Sequence, residues 1–199
     1  MAFWSVTGPE PKRQYRWYVE FGGTGESDLG QIKFALKKVD KPKAKVGEIT
    51  HKYLNHFFYY PGRLEWEAIN MTFASVTDPD ASYILNQVLL NAGYGVPTDA
   101  TTPGDQVSTI GKNKFNTAIG TKMSIIQIDA EGGIIETWEI NKPFFTSVQF
   151  GSLDYGSEEI VEISTTVRYD WARLITPQSV NGNVTSDPNI GLNPGFPDE

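Results

Sequence analysis

The sequence of 199 residues contains no cysteine. This absence excludes disulfide bonds, thiolate metal sites and thiol catalysis. Two histidines leave little for a multi-histidine metal site. No apolar run approaches the roughly 18 residues that a membrane-spanning helix needs, and no basic start followed by an apolar stretch indicates a secretory signal. We therefore expect a soluble, intracellular protein without a membrane anchor.

Basic residues are also in deficit, because 17 Lys and Arg stand against 24 Asp and Glu and give a formal net charge of −7. This balance argues against a dedicated duplex-DNA binder, which needs a net basic face. The apolar share of 39% is enough for a buried core, and the aromatic share of 13% favours β-structure.

Alternation of apolar and polar residues predicts strands along most of the chain. In the early strand that contains Ile32, Phe34 and Leu36, these three side chains share one predicted face. The later segment from Leu64 to Ser75 is interpreted as a single strand with a bulge near Ala68, where the apolar parity changes. The other predicted strands are Tyr15–Phe21, Thr121–Asp129, Ile134–Asn141 and Glu158–Trp171. The turn Glu131-Gly132-Gly133 predicts a hairpin, and Pro143–Tyr155 is interpreted as irregular.

Residues 79–92 form the one predicted helix. Asp78 is the predicted N-cap, Pro79 takes the first helical position, and Gly93 follows the end. Apolar residues at three- and four-residue spacings give it one apolar stripe, so it covers a sheet from one side. Residues 93–120, rich in Gly, Pro, Thr and Asp, are interpreted as a long loop. The order of elements predicts a mainly β protein, an antiparallel β-sandwich or barrel with one packed helix.

The chain divides into three predicted parts: an N-terminal arm over residues 1–12, a β domain over 13–175, and a flexible tail over 176–199. Within the domain, residues 47–66 predict a long hairpin or loop. Its five aromatic rings do not alternate cleanly, so they fall on both sides and need a covering partner. These rings are Tyr53, Phe57, Phe58, Tyr59 and Tyr60.

A basic segment runs from Lys33 to Lys45 and holds one acid, Asp40. One interpretation is a solvated edge strand whose lysines discourage aggregation. The other is a docking patch for an acidic neighbour. The lysines concerned are Lys33, Lys37, Lys38, Lys41, Lys43 and Lys45.

The search for catalytic chemistry yields only weak patterns. His51 and His56 are five residues apart, which on one strand places them on opposite faces and argues against zinc. Glu65 and Glu67 share a strand face about 7 Å apart, a spacing that suits a glycosidase pair but is equally that of solvated acids. The sequence predicts no catalytic residue, no cofactor and no metal. The sequence lacks a convincing catalytic site and has strand edges and aromatic side chains that need a covering partner. This combination indicates a self-assembling structural subunit whose edge strands pair with those of other copies.

The C-terminal half resembles the tail tube proteins of contractile-tailed (myovirus) bacteriophages. The likeness is carried by three stretches, a strand and its continuation at Ile135–Val148, an Asp-aromatic turn at Leu153–Ile160 and a last strand at Val161–Trp171. The N-terminal half is similar in the order of its elements.

The resemblance implies a tail tube fold whose inner strands join a ring-wide β-barrel. It implies homohexameric rings that stack into a tube inside a contractile sheath, with DNA passing through the lumen unbound. The implied partners are the tail sheath protein, the baseplate and the tape-measure protein, and the implied location is the virion, after synthesis in the host cytoplasm. In that setting we expect the aromatic hairpin between rings and the lysine patch against a neighbour. Acids lining the lumen would repel phosphates, and the candidates are Glu65, Glu67, Glu136 and Glu139.

Other functions stay open at this point. The related tubes of pyocins, injection systems and type VI secretion share the architecture, and a cap or initiator of a tube would share it too. A carbohydrate-binding β-sandwich would use exposed Trp and Tyr as platforms for sugars. A glycoside-cleaving enzyme would use Glu65 and Glu67.

Overall fold

A computed structural model describes residues 12–22, 28–95, 109–176, 178–180 and 183–185. Within these ranges the chain forms β-strands, two α-helices and two short 3-10 turns. The strands are β1 (Trp17–Gly22), β2 (Leu36–Val39), β3 (Ala44–Tyr53), β4 (His56–Trp66), β5 (Ile69–Ala74), β6 (Lys122–Ile128), β7 (Ile134–Asn141), β8 (Phe144–Gln149), β9 (Glu162–Arg168), β10 (Trp171–Ile175), β11 (Gln178–Val180) and β12 (Asn183–Thr185). The helices are α1 (Ala81–Asn91) and α2 (Lys112–Ile119).

Two four-stranded antiparallel sheets form the body of the molecule. The first sheet has the order β1-β6-β7-β10 and the second has the order β2-β5-β9-β8. Strands β3 and β4 pair only with each other among the described strands, as do β11 and β12. The predicted mainly antiparallel β fold is confirmed.

One continuous apolar cluster joins both sheets and both helices. The first sheet contributes Val19, Met123 and Ile140, and the second contributes Phe73, Ile163 and Val167. The helices add Leu85, Val88, Phe115 and Ile119 from their apolar faces. Burying each such side chain stabilises the fold by about 1.5–3 kcal/mol. The described residues therefore form one core that both sheets and both helices share, and Trp66 at the end of β4 packs against it.

Helix α1 confirms the predicted apolar stripe but begins at a different cap. The carboxylate Oδ1 of Asp80 accepts hydrogen bonds from the backbone N–H groups of Ser82 and Tyr83, at 2.9 and 3.2 Å. Asp80 is therefore the N-cap, and the assignment of Asp78 as cap with Pro79 in the first helical turn was wrong. Gly93 follows the end with φ +106°, a conformation that favours glycine.

The prediction of a single helix was also wrong. Residues 112–119, placed in the predicted loop 93–120, form α2, and its buried residues Phe115, Ala118 and Ile119 recur at helical spacing. These eight residues contain few apolar side chains, so their helical periodicity in the sequence is weak. Their contacts with α1 and β8 stabilise the helix. Residues 96–108 of that loop lie outside the described residues, as do residues 1–11 of the predicted arm.

Three predicted strands are divided or displaced. The segment Leu64–Ser75 belongs to two sheets, because β4 ends at Trp66 and β5 begins at Ile69. Glu158–Trp171 likewise contributes β9 to one sheet and β10 to the other. The predicted face of Ile32, Phe34 and Leu36 does not exist, since residues 33–35 form a 3-10 turn. Ile32 is fully buried while Phe34 is 89% exposed.

The interpretation of Pro143–Tyr155 as irregular was wrong for its first half, which contains β8. The hairpin β6–β7 around Glu131-Gly132-Gly133 is confirmed, with Gly132 at φ +86°. In the predicted tail, residues 178–180 and 183–185 form β11 and β12, and residues 186–199 lie outside the described residues.

Candidate assembly surface

The hairpin β3–β4 is the longest pair of strands, and only Trp66 at its root packs against the core. Almost every residue from Ala44 to Trp66 is exposed, and only Gly62 and Trp66 are half-buried. A hairpin or loop was predicted over residues 47–66, and the paired strands of the structure extend from Ala44 to Trp66. Both faces of the hairpin are therefore available for a partner. An isolated two-stranded hairpin is only marginally stable in water, so we expect a partner to stabilise this one.

Aromatic rings occupy both faces of the hairpin. Residues that pair directly share a face, and the register pairs Ile49 with Tyr60, and Tyr53 with His56, on one side. The opposite side carries Tyr59 against Thr50 and Phe57 against Lys52. The five predicted rings are 48% to 65% exposed. The surface therefore presents two apolar faces rather than one.

The two histidines lie on the same face, so the prediction of opposite faces was wrong. His51 pairs with Phe58 and His56 pairs with Tyr53, which places the imidazoles diagonally across the hairpin. The prediction assumed one continuous strand, but the chain reverses at Leu54, whose φ is +52°. Among the described residues, no three His, Asp or Glu side chains are grouped so as to hold a metal ion.

Two glycines set the shape of the hairpin above its root. The register shifts between Val46 and Glu48, so a bulge is centred on Gly47. A Cβ on Gly62 would lie 3.0 Å from the carbonyl oxygen of Gly47 and 3.1 Å from its carbonyl carbon. Such contacts are tighter than ordinary van der Waals contacts, so a side chain at position 62 would require the facing backbone to shift by a few tenths of an ångström.

Glu65 and Glu67 stand at the hairpin root opposite lysines. Glu65 pairs with Lys45, and the backbone N–H of Glu67 donates to the carbonyl of Lys43 at 2.9 Å. Alternation along each strand places these four side chains on one face. Glu65 and Glu67 thus lie beside two members of the predicted lysine patch, and all four side chains are exposed.

Glu136 is 6% exposed and lies at the centre of a charged cluster. Its carboxylate forms ion pairs with Lys12 and Lys41. Lys41 also donates to Gln127 Oε1 at 2.8 Å, and Gln127 Nε2 donates to the carbonyl of Arg13 at 2.9 Å. Burial by itself raises the pKa of Glu136, but the hydrogen bonds and charges of the two lysines outweigh it and lower the pKa below its ordinary value.

Of the remaining predicted site residues, Glu139 and Lys37 form ion pairs, and Lys33 and Lys38 make no ion pair with another described residue. Glu139 accepts from Arg173 at 2.9 Å. Lys37 forms an ion pair with Glu162, whose hydrogen bond and charge raise the pKa of Lys37. Lys33 lies 5.1 Å from the ring centroid of Phe34. Lys38 is exposed on β2, an edge strand of the second sheet, as the edge-strand interpretation requires.

The exposed loop between β8 and β9 was not predicted from the sequence as an interaction surface. Within residues 150–161, Leu153 is 88% exposed, Tyr155 is fully exposed, and Ile160 is 71% exposed. The sequence signal that could have indicated this surface is a group of apolar residues among three acids, without the periodicity of a strand or a helix.

No protein-family model matches the sequence, and a search of curated proteins finds no match. Solved structures do match the fold. A chain of the cap that terminates the tube of the anti-feeding prophage has a TM-score of 0.59 at 16% identity, over 86% of this chain and 95% of that chain. The chain has the tube-protein fold of contractile injection systems.

Two further structures agree with this fold assignment. A chain of the six-fold symmetrised anti-feeding prophage baseplate has a TM-score of 0.58 at 13% identity, over 84% of this chain and 97% of that chain. A chain from the sheath/tube terminator of the PVC extracellular contractile injection system, in its extended state, has a TM-score of 0.58 at 17% identity. The match covers 83% of this chain and 97% of that chain. None of the helices in the described residues combines the length and apolarity needed to cross a membrane.

Proposed function

We propose that this chain is a structural subunit of the contractile tail tube of a bacteriophage. Six copies form a ring, rings stack into a hollow conduit within a sheath, and DNA passes through it during delivery from the virion. The observation that carries this proposal is the β3–β4 hairpin, which exposes aromatic rings on both faces of a subunit whose fold matches injection-system tube components. Exposed apolar area of this kind marks an interaction surface.

The hairpin rings are proposed to lie between successive rings of the tube. The exposed lysines are proposed to contact an acidic neighbour, either the next ring or the sheath. Ion pairing already engages Lys37 and Lys41 within the subunit, so Lys33, Lys38, Lys43 and Lys45 are the members available for that contact. Baseplate and tape-measure proteins are the further proposed partners.

The lumen is proposed to be lined by acids that repel phosphate. Glu65 and Glu67 are exposed, whereas Glu136 and Glu139 are ion-paired and contribute less to repulsion. A net charge of −7 on each subunit supports a conduit that does not bind the DNA it carries.

Shortening the hairpin tests this function. A variant in which residues 48–61 are replaced by a two-residue Asn-Gly turn removes no buried side chain, so the monomer should fold with unchanged thermal stability. Negative-stain electron microscopy of purified protein at rising concentration should show tubes for the natural sequence and none for this variant. Tubes of ordinary length from the shortened protein, or a solitary natural protein at every concentration, would contradict the proposal.

A tube of a pyocin-like or type VI-like injection machine is the second candidate, and it is favoured by the same likeness to injection-system structures. The role of a tube cap or initiator belongs with it. These alternatives are separated by whether intact particles carry DNA, which the bacteriophage proposal requires and the injection-machine alternative does not. Sequencing nucleic acid protected within purified particles distinguishes them.

A further inference from the structure

The hairpin and the β8–β9 loop (residues 150–161) lie at opposite ends of the second sheet. Strand β5 begins at Ile69, just after the hairpin root, and ends at Ala74, which pairs with Glu162 at the end of the loop. Strand β2 runs the other way, from Leu36 opposite Phe73 to Val39, and then leads to the hairpin. A subunit thus presents one of these surfaces at each end of the same sheet.

The β8–β9 loop is ordered by its own hydrogen bonds although its side chains are exposed. Oδ1 of Asp154 accepts from the backbone N–H of Gly156 at 2.9 Å, and the carbonyl of Asp154 accepts from the N–H of Ser157 at 3.3 Å. Ser157 Oγ accepts from the N–H of Glu159 at 3.3 Å. A loop held in one conformation loses less entropy when a partner binds it.

A groove of about 1130 Å³ runs along this loop and is bordered by Lys37 of β2. Pockets that enclose drug-sized ligands measure roughly 300–1,000 Å³, so the groove has room for more than one side chain. Leu153, Tyr155 and Ile160 give it apolar walls. Phe34 is exposed at the same end of the sheet, immediately before β2.

The charges of the two surfaces are complementary. Asp154, Glu158 and Glu159 make the loop acidic, and the one lysine that borders the groove, Lys37, forms its ion pair with Glu162. The outer half of the hairpin, residues 49–60, carries one cation, Lys52, and no acid. Opposite charges on two apolar surfaces favour one docking register.

We propose that the tip of the hairpin of one copy docks into the β8–β9 groove of the next copy along the tube. This inference rests on the proposed function and names the surface that receives the hairpin. The contact is head-to-tail, because each copy uses its hairpin at one end and its groove at the other. A head-to-tail contact propagates without limit along an axis, which is what a stacked tube requires.

Two variants with exposed substitutions test the contact. The hairpin variant carries Phe57→Ser and Tyr59→Ser, and the groove variant carries Leu153→Ser, Tyr155→Ser and Ile160→Ser. Each alone should raise the concentration needed for tube formation by at least about tenfold, since buried aromatic anchors dominate such interfaces. Tyr83→Ser, which removes an exposed ring from α1, is the matched control and should assemble as the natural protein does.

Mixing the two variants gives the decisive measurement. The groove variant keeps a competent hairpin and the hairpin variant keeps a competent groove, so the mixture should form one contact and stop there. Sedimentation velocity should show a species of twice the mass of the variants' own assemblies, and electron microscopy should show no tubes. Thermal unfolding of each variant should match that of the natural protein, because the substituted side chains are exposed.

The outcomes separate this inference from the proposed function. If the natural protein forms tubes and the groove variant forms them at the same concentration, the groove is not the receiving surface and the tube function stands. If both variants fail alone but their mixture forms no doubled species, the hairpin docks elsewhere and the inference is overturned. If the natural protein never assembles, the proposed function itself is rejected.

Discussion

Lys41, in the segment between β2 and β3, forms an ion pair with Glu136 in the middle of the first sheet. From the sequence, Lys41 was predicted to lie in a docking patch and Glu136 in the lining of the lumen, which are two different surfaces. Their contact instead joins the root of the hairpin to the body of the subunit, with Lys12 on the other side of the same carboxylate. The segment that leads from β2 into the hairpin is therefore tied to the first sheet through a buried carboxylate.

Glu136→Gln should destabilise the folded subunit at neutral pH by about 1–3 kcal/mol, because it removes charge-assisted hydrogen bonds from two lysines. Since the pKa of Glu136 is lowered in the folded state, its contribution is present above the ordinary pKa of 4.5 and is lost as the pH falls through the lowered value. Urea unfolding of both proteins at pH 7 and at decreasing pH checks this. The difference between them should shrink on acidification, and a difference independent of pH would contradict it. Glu131→Gln, at an exposed turn, is the control.

Asp80→Ala should cost about 1 kcal/mol of unfolding free energy, because it removes the N-cap hydrogen bonds to Ser82 and Tyr83. Asp78→Ala should change stability by less than about 0.5 kcal/mol, as exposed substitutions away from such contacts do. Chemical denaturation of the two variants compares the observed cap with the one expected from the sequence. Equal losses would contradict the assignment of Asp80.

Phe73→Ala should destabilise the subunit by about 3–5 kcal/mol, since the ring is fully buried in the shared core. Phe34→Ala removes the same ring from an 89% exposed position and should leave stability within about 0.5 kcal/mol. Thermal and urea unfolding measure both. A large loss for Phe34→Ala would mean that residues 33–35 pack as the predicted strand after all.

Gly62→Ala should loosen the pairing of the hairpin strands at a cost of at most about 3 kcal/mol, because the added methyl group presses the backbone of Gly47 to shift by a few tenths of an ångström. Gly47→Ala is the matched variant, and its methyl group would lie no closer than 3.6 Å to Arg63, an ordinary contact. Hydrogen exchange should show faster exchange of hairpin amides in Gly62→Ala only, with the core amides unchanged in both. Equal exchange in the two variants would show that the close approach at the bulge is not required.

The sequence determined the properties that depend on local pattern. Alternation gave most strands, Gly132 gave a turn with positive φ, and the dense rings of residues 53–60 indicated a surface in need of a partner. These conclusions need only the period of a strand and the chemistry of single side chains, which are fixed before the chain folds.

Tertiary structure decided whatever depends on which strands become neighbours. The sequence does not state that Glu136 meets Lys41, that His51 and His56 share a face, or that Leu64–Ser75 divides between a hairpin and a sheet. Helix α2 and the exposure of Phe34 likewise follow from contacts made by distant segments. Pairing between residues far apart in sequence depends on how the whole chain packs. A local pattern therefore predicts individual strands and helices of this fold but not which elements they pair or pack with.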